Sequence, residues 1–240
     1  MSLLRLPTEI LAYILRQTTK SRFAACQTCQ SLASIVHDII GYDAIKINTI
    51  AQAKAAAKHR GILNNTKISF GMKRDELDDN VIKLFASVHT IDLAYTLVTD
   101  EGIKALAGVH TINLRQCHGF TDEGLKELKG VHTINLKQTL VTDEGVKALA
   151  GVHTIHLSQT SVTDEGVIPL AGVHTIYLDR TKVTDKGVMA LAGVHSIFVA
   201  STKVSNRGIR ALKGAYYINA ISCRVTREGA SRLKGTSVFV

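Results

Sequence analysis

Two groups of potential metal ligands stand out in the 240-residue sequence. Cys26 and Cys29 form a Cys-x-x-Cys pair, and His37 follows nearby. A structural zinc site needs four ligands, and no fourth candidate lies close to these three in the sequence. Both cysteines fall on the apolar face of a predicted helix, where a buried structural role is the favoured interpretation. The sequence predicts neither a metal nor a cofactor.

The second group consists of six histidines that recur at steps of 21 or 22 residues. They are His89, His110, His132, His153, His174 and His195. On adjacent parallel strands, neighbouring rings would lie about 4.8 Å apart, a spacing that raises the possibility of a metal-binding ladder. Each histidine lies two residues after a glycine or serine that closes the preceding segment, however, so interaction with a helix end or solvated stacking is favoured. If the rings charge together, their repulsion should lower their pKa and make stability fall with pH.

These histidines belong to an internal repeat. The triplet Val-His-Thr begins at positions 88, 109, 131, 152 and 173, with Val-His-Ser at 194. The tetrapeptide Thr-Asp-Glu-Gly begins at positions 99, 121, 142 and 163 and drifts in sequence afterwards. A fixed period in this range predicts a solenoid, because one unit cannot bury its apolar face alone and a stack of units can.

Each repeat combines two hydrophobic periods. In "VHTINL", which begins at residue 109, alternation predicts a short strand with Ile112 and Leu114 on its buried face and Asn113 on the other. In "VTDEGVKALAG", which begins at residue 141, the pattern predicts a helix that Thr142 caps and Gly151 ends. A strand and a helix in every repeat predict a parallel sheet with helices outside it.

Two further columns predict contacts between repeats. Glycine recurs in the first helical turn, at Gly102, Gly124, Gly145, Gly166, Gly187, Gly208 and Gly229. Glycine costs up to about 1 kcal/mol relative to alanine there, so its recurrence indicates that the helix passes too close to the neighbouring coil for a Cβ. Threonine or cysteine recurs three residues after the last apolar strand residue, as at Thr96 and Cys117. These small side chains are expected to satisfy backbone groups where the chain leaves the strand.

The repeat resembles the leucine-rich repeat, in particular its cysteine-containing subclass. The best match is "VHTINLRQCHGFTDEGLKELKG", residues 109–130. The likeness is strong over residues 88–240, and residues 42–87 resemble degenerate units with strands in "AIKI" and "KISF". The resemblance implies an α/β leucine-rich-repeat solenoid, with parallel strands on a concave face and helices on a convex face.

Residues 1–41 do not repeat and are predicted to form a separate, helical segment. They resemble an F-box, with the pattern L-P-x-E-I followed by I-L from residue 6 to residue 15 and with Cys26, Cys29 and Leu32 in its second element. The resemblance implies docking to a Skp-family adaptor through Leu6, Pro7, Ile10, Leu11, Ile14 and Leu15. Without the resemblance, the same helices are interpreted as a cap on the open end of the solenoid.

Net charge is +9 and unevenly distributed. Residues 201–240 hold eight basic residues and one acidic residue, a net of +7. A solvated cap is the favoured interpretation of this basic end, and nucleic-acid binding is a weaker one because aromatic residues for base stacking are not interleaved. The sequence shows no signal peptide, no membrane-spanning run and no disulfide framework, so we expect a cytoplasmic or nuclear protein.

The target-binding residues are predicted among the outward-facing strand positions that vary from repeat to repeat. His156, Tyr177 and Phe198 are consecutive in one column, with Tyr217 diagonally beside Phe198 and Asp179 in the next column. The chain has only six Tyr and six Phe, so an exposed aromatic cluster suggests a binding surface. Cross-strand stacking that only stiffens the sheet is the alternative.

These features together favour a protein-interaction adaptor. The F-box resemblance implies the substrate receptor of an SCF-type cullin–RING ubiquitin ligase, which joins an adaptor to an unidentified target protein. The alternative is a plain leucine-rich-repeat scaffold with a helical cap. No nucleophile–base pair, phosphate loop or carboxylate pair stands out at a variable position, so the sequence predicts that the chain is not an enzyme.

Overall fold

The structure is a computed structural model that describes residues 45–48, 50, 53–54, 67–70, 77–86 and 88–240. All six residues that we predict to bind the adaptor lie outside these ranges, and so do Cys26, Cys29 and the proposed boundary at residue 41. The statements that follow concern the described residues.

Ten strands form one parallel sheet in which each strand pairs with the next along the chain. They are β1 (Ile45–Ile47), β2 (Lys67–Phe70), β3 (Thr90–Asp92), β4 (Thr111–Asn113), β5 (Thr133–Asn135), β6 (Thr154–His156), β7 (Thr175–Tyr177), β8 (Ser196–Phe198), β9 (Tyr217–Asn219) and β10 (Ser237–Phe239). β1 and β2 fall within "AIKI" and "KISF", where the degenerate strands were predicted. The α/β leucine-rich-repeat solenoid is confirmed.

In the described residues from 77 onward, eight short α-helices alternate with the strands. They are α1 (Asp79–Lys83), α2 (Asp100–Lys104), α3 (Asp122–Lys126), α4 (Asp143–Lys147), α5 (Asp164–Val167), α6 (Asp185–Ala190), α7 (Asn206–Arg210) and α8 (Arg227–Ser231). A 3-10 turn, Ile168–Leu170, follows α5. Thr142 caps α4 by accepting from the backbone N–H of Glu144, and Gly151 has a φ of 88°, as predicted. The helix is shorter than expected, because it ends at Lys147 and turns lead on to Gly151.

The core is a stack of equivalent apolar side chains, one layer per repeat. The register aligns the central isoleucines of the strands: Ile68, Ile91, Ile112, Ile134, Ile155, Ile176, Ile197 and Ile218. All of them are buried, and they join the buried Val, Leu and helix residues in one continuous cluster. Burial of one such side chain contributes roughly 1.5–3 kcal/mol to the free energy of folding. Each layer is shielded from water only because the layers of the neighbouring repeats cover it.

An aspartate from each repeat links it to the next repeat. Asp122 accepts from the backbone N–H of Thr142 at 2.9 Å and from the Thr142 hydroxyl at 2.5 Å. The same carboxylate occupies the space that a Cβ on Gly145 would need. The close approach predicted for the glycine column is therefore confirmed, and the atom responsible is a carboxylate oxygen of the preceding repeat. The pattern recurs from Asp79 to Asp185.

The threonine and cysteine column has the predicted role at the strand ends. The Thr139 hydroxyl donates to the carbonyl of Leu136 at 2.7 Å. Cys117 donates from Sγ to the carbonyl of Leu93, in the preceding repeat, at 2.9 Å. Both contacts satisfy a backbone acceptor where the chain turns out of the strand, and such acceptors are costly to leave buried and unpaired.

Candidate protein-binding face

The side chains that lie between the buried strand residues face away from the core and form what we call the open face of the sheet. Strand pairing places His156 opposite Tyr177 and Tyr177 opposite Phe198. Successive side chains of a strand point to opposite faces, so burial of Ile155 and Leu157 directs His156 to the open face. Four of the five predicted target-binding residues are thus brought together as one group: His156, Tyr177, Phe198 and Tyr217.

These residues form an aromatic stack of five rings: His156, Tyr177, Phe198, Tyr217 and Phe239. The centroids of Tyr177 and Phe198 are 4.2 Å apart with 12° between the ring planes. His156 stacks on Tyr177 at 4.5 Å, and the Phe198–Tyr217 pair is tilted at 5.0 Å. The four predicted rings are half-buried rather than exposed as we expected, because each ring covers the faces of its neighbours.

Phe239 extends the aromatic stack beyond the predicted residues. Its ring lies 5.2 Å from that of Tyr217, and 49% of the residue is exposed. Strand pairing places Phe239 opposite Asn219, in the same column as His156. Continuation of the repeat register from Asn219 into the final "SVFV" would have found it from the sequence.

Asp179 lies beside the aromatic stack, but both of its carboxylate oxygens are already engaged. One oxygen accepts from the Ser158 hydroxyl at 3.0 Å, and the other accepts from the backbone N–H of Ala200 at 2.9 Å. These contacts join three consecutive repeats. The predicted assignment of Asp179 to target binding stays a prediction, and the geometry also gives it a structural role.

Two basic residues occupy the same face on the N-terminal side of the aromatic stack, and we call them the cationic pair, Arg115 and Lys137. They follow β4 and β5 in the column that contains Asp179. The guanidinium carbon of Arg115 lies 5.4 Å from the ring centroid of Tyr95. Neither residue forms an ion pair with any residue that the structure describes. We did not single out this pair from the sequence, although both residues stand in a variable column.

His156 lies between the cationic pair and the other rings of the stack. Burial lowers its pKa to about 4, with a further contribution from the positive charge of Lys137. Its Nδ1 is shielded from solvent and has no hydrogen-bond partner in the described chain. A neutral imidazole at physiological pH therefore separates the two basic side chains from Tyr177.

The lowered pKa of His156 predicts that stability falls at mildly acidic pH. An unfolded-state pKa near 6.5 means that unfolded protein takes up the proton first. The contribution of His156 is therefore intact above about pH 6.5 and is lost as pH falls towards 4. We expect a loss of about 1–2 kcal/mol, after allowing for solvent screening of a half-buried group. Thermal melts at a series of pH values measure it.

The control for this prediction is His156→Phe, which keeps a ring in the stack and removes the titrating group. The melting temperature of this variant should depend less on pH than that of the unmodified chain. An unmodified chain whose melting temperature is constant between about pH 7.5 and 5.5 would contradict the prediction. The difference between the two chains separates His156 from the other histidines.

The six recurring histidines do stack, and we call them the His column. Neighbouring centroids are 4.2–4.5 Å apart with 10–17° between ring planes, and Tyr216 continues the column at 5.0 Å. Nδ1 of each ring lies within hydrogen-bond distance of the following Thr or Ser hydroxyl, at 3.1 Å in His174. At His174 the pKa is lowered by desolvation and by repulsion from His195 and His153, which is the predicted direction.

The rings of the His column are not oriented as ligands of a single metal ion. Parallel rings direct their nitrogen lone pairs side by side, whereas a zinc ion needs ligands that converge at about 2 Å. No group of three or more potential ligands converges anywhere in the described ranges. The stacking interpretation of these histidines is confirmed.

Models of two protein families match separate parts of the chain. Residues 3–42 match the F-box domain model, and residues 86–107 match a leucine-rich-repeat model. Together, the two matched models are the modules of an F-box/leucine-rich-repeat protein. An F-box typically binds Skp1-family adaptors, and both kinds of module are typically non-enzymatic interaction modules. No curated protein matches the chain.

Two solved structures share the leucine-rich-repeat fold of this chain. Internalin C2 from Listeria monocytogenes is 14% identical with a TM-score of 0.61, over 80% of this chain and 90% of its own. An LRR protein from Leptospira interrogans is 16% identical with a TM-score of 0.54, over 78% of this chain and 57% of its own. Among the described residues, no helix is long and apolar enough to span a membrane.

Proposed function

We propose that the chain is the substrate receptor of an SCF-type cullin–RING ubiquitin ligase. The observation that carries the proposal is the F-box match over residues 3–42 in a chain whose repeats form a leucine-rich-repeat solenoid. In this proposal the F-box binds a Skp-family adaptor, and the solenoid holds an unidentified target protein for ubiquitin transfer by other subunits. The chain itself carries no catalytic residue and no cofactor, and it acts in the cytoplasm or the nucleus.

The open face, which the leucine-rich-repeat fold implies to be concave, is the proposed target-binding surface. Its residues differ between repeats while the core and the Asp122-type links are nearly invariant along the chain. The aromatic stack supports the proposal, because half-buried Tyr and Phe rings offer large apolar area with little side-chain entropy to lose on binding. We therefore assign target binding to His156, Tyr177, Asp179, Phe198 and Tyr217. The proposed target binding involves neither nucleic acid nor a membrane.

The second candidate function is a plain scaffold in which the N-terminal helices only cap the solenoid. The regular stacking of His156, Tyr177 and Phe198 favours this alternative, because cross-strand aromatic pairs stabilise a sheet without any ligand. The two functions differ in whether an adaptor binds.

Adaptor binding tests the proposed function directly. The full chain should form a stable complex with a purified Skp-family adaptor in a pull-down. Leu11→Asp or Ile14→Asp should abolish the complex, because a carboxylate in an apolar interface is desolvated without a partner. Leu140→Asp is the matched control, since Leu140 is 69% exposed on the solenoid, and this variant should bind normally. If the unmodified chain does not bind the adaptor, the scaffold function is the better one.

A further inference from the structure

We propose that the open face recognises an extended target segment in which an anionic side chain lies three or four residues from a large apolar side chain. The cationic pair would bind the anionic group, and Tyr177 with Phe198 would bind the apolar one. This inference rests on the proposed function and gives the chemical class of its target.

Around the aromatic stack, the open face carries two basic side chains, Arg115 and Lys137, and one carboxylate, Asp179. Asp92 pairs with Lys67 at 3.1 Å, and Asp179 is engaged by Ser158 and by the backbone of Ala200. Arg115 and Lys137 stand on neighbouring repeats, and both act electrostatically on His156. Since no described acidic side chain forms an ion pair with either of them, an anionic group of the target would complete the charge complementarity.

The apolar half of the proposed site begins at β7, two strands beyond Lys137. Tyr177 and Phe198 stack at 4.2 Å, and both are half-buried, so part of each side chain stays accessible on the open side. His156, whose burial lowers its pKa, is neutral at physiological pH and keeps a positive charge away from these rings. An apolar target side chain placed against Tyr177 and Phe198 therefore displaces water from aromatic surface, while the nearby Asp179 carboxylate keeps its hydrogen bonds to Ser158 and Ala200.

The spacing follows from the sheet. Parallel strands lie about 4.8 Å apart, so the steps from β5 to β7 and to β8 are about 10 Å and 14 Å. An extended peptide advances about 3.3 Å per residue, and it covers these distances in three or four residues when it runs across the strands. The separation of the strands therefore sets the number of residues expected between the anionic and the apolar side chain of the target.

A set of short synthetic peptides tests the inference. Each peptide carries one Glu or one phosphoserine and one Phe at a varied separation, and a parallel set carries Lys in place of the anionic residue. Binding to the full chain is measured by fluorescence anisotropy at low and high salt. We expect affinity to be highest at a separation of three or four, to vanish in the Lys set and to decrease with salt. The Glu and phosphoserine arms show which anionic group is preferred.

The variant Arg115→Gln with Lys137→Gln should weaken the best peptide about tenfold or more and flatten its salt dependence. Lys104→Gln with Lys129→Gln is the matched control, because it removes the same charge from exposed lysines of helical segments without described ion pairs, and it should bind as the unmodified chain does. Equal binding of the Glu and Lys sets, or an unchanged affinity of the Arg115/Lys137 variant, would overturn the inference. Loss of affinity only on Arg207→Gln with Arg227→Gln would also overturn it.

The result is separable from the test of the proposed function. A chain that binds the adaptor but none of the peptides refutes the inference on target chemistry and leaves the adaptor role intact. A chain that binds the peptides through Arg115 and Lys137 but no adaptor supports the peptide site and refutes the ubiquitin ligase role.

Discussion

Replacement of Gly145 by alanine is expected to lower the free energy of unfolding by about 1–3 kcal/mol. The new Cβ would overlap Oδ1 of Asp122 and come within 3.0 Å of the Asp122 Cβ. The carboxylate cannot move freely, because it accepts from both the backbone and the hydroxyl of Thr142. This cost exceeds the gain in helix propensity from Gly to Ala, which is up to about 1 kcal/mol. Urea denaturation followed by circular dichroism measures the difference.

A double-mutant cycle tests the physical explanation, because the effect of Gly145→Ala on stability should change once the Asp122 carboxylate is removed. Asp122→Ala alone should destabilise the chain, because it removes two hydrogen bonds between repeats. In the Asp122→Ala background, however, Gly145→Ala should be neutral or stabilising, since the obstructing carboxylate is gone and helix propensity remains. Should Gly145→Ala cost the same in both backgrounds, the explanation for the glycine column given above is wrong.

Replacement of both Tyr177 and Phe198 by alanine is expected to abolish target capture and to leave adaptor binding intact. Loss of one buried aromatic contact at a binding hot spot costs about 2 kcal/mol or more, so the pair should lower affinity by several hundredfold or more. Proximity labelling in cells measures this effect, as the loss of proteins that only the unmodified chain labels. The double variant and the unmodified chain must be compared at equal levels of adaptor complex.

The matched control replaces His174 and His195, which are stacked at 4.4 Å on the same two neighbouring repeats as Tyr177 and Phe198. His174→Ala with His195→Ala also removes two stacked rings, but from the His column rather than from the open face. It should retain the labelled proteins. The melting temperature of the Tyr177/Phe198 variant should fall by only a few degrees, because these rings are half-buried. Retained labelling by this variant would indicate that the aromatic stack is structural.

Much of the fold was predictable because every repeat of a solenoid adopts the same local structure. The strand in "VHTINL", the cap at Thr142 and the left-handed Gly151 are all set by neighbours in the sequence. The helix length was less predictable. Propensity favours a helix that continues to Leu149, whereas the repeat ends α4 at Lys147 and uses the remaining residues to return to the sheet.

The candidate site was only partly predictable. Column alignment identified His156, Tyr177 and Phe198, because the repeat period places equivalent residues on neighbouring strands. It did not show that Asp179 is held by Ser158 and Ala200, since those partners depend on side-chain geometry between repeats. The half-burial of the rings was also missed, because it results from ring-on-ring contact rather than from the hydrophobic pattern.

The repeat, the parallel order of its strands, the position of the core and the resemblance to an F-box could all be read from the sequence. These properties follow from periodicity, local preference and short motifs. The atoms that meet between repeats could be identified only in the folded chain: the Asp122 carboxylate against Gly145, the neutral His156, and the cationic pair without a described acidic partner. The physical reason is that such contacts, and the desolvation that lowers the pKa of His156, depend on ångström-scale distances between residues about 20 positions apart.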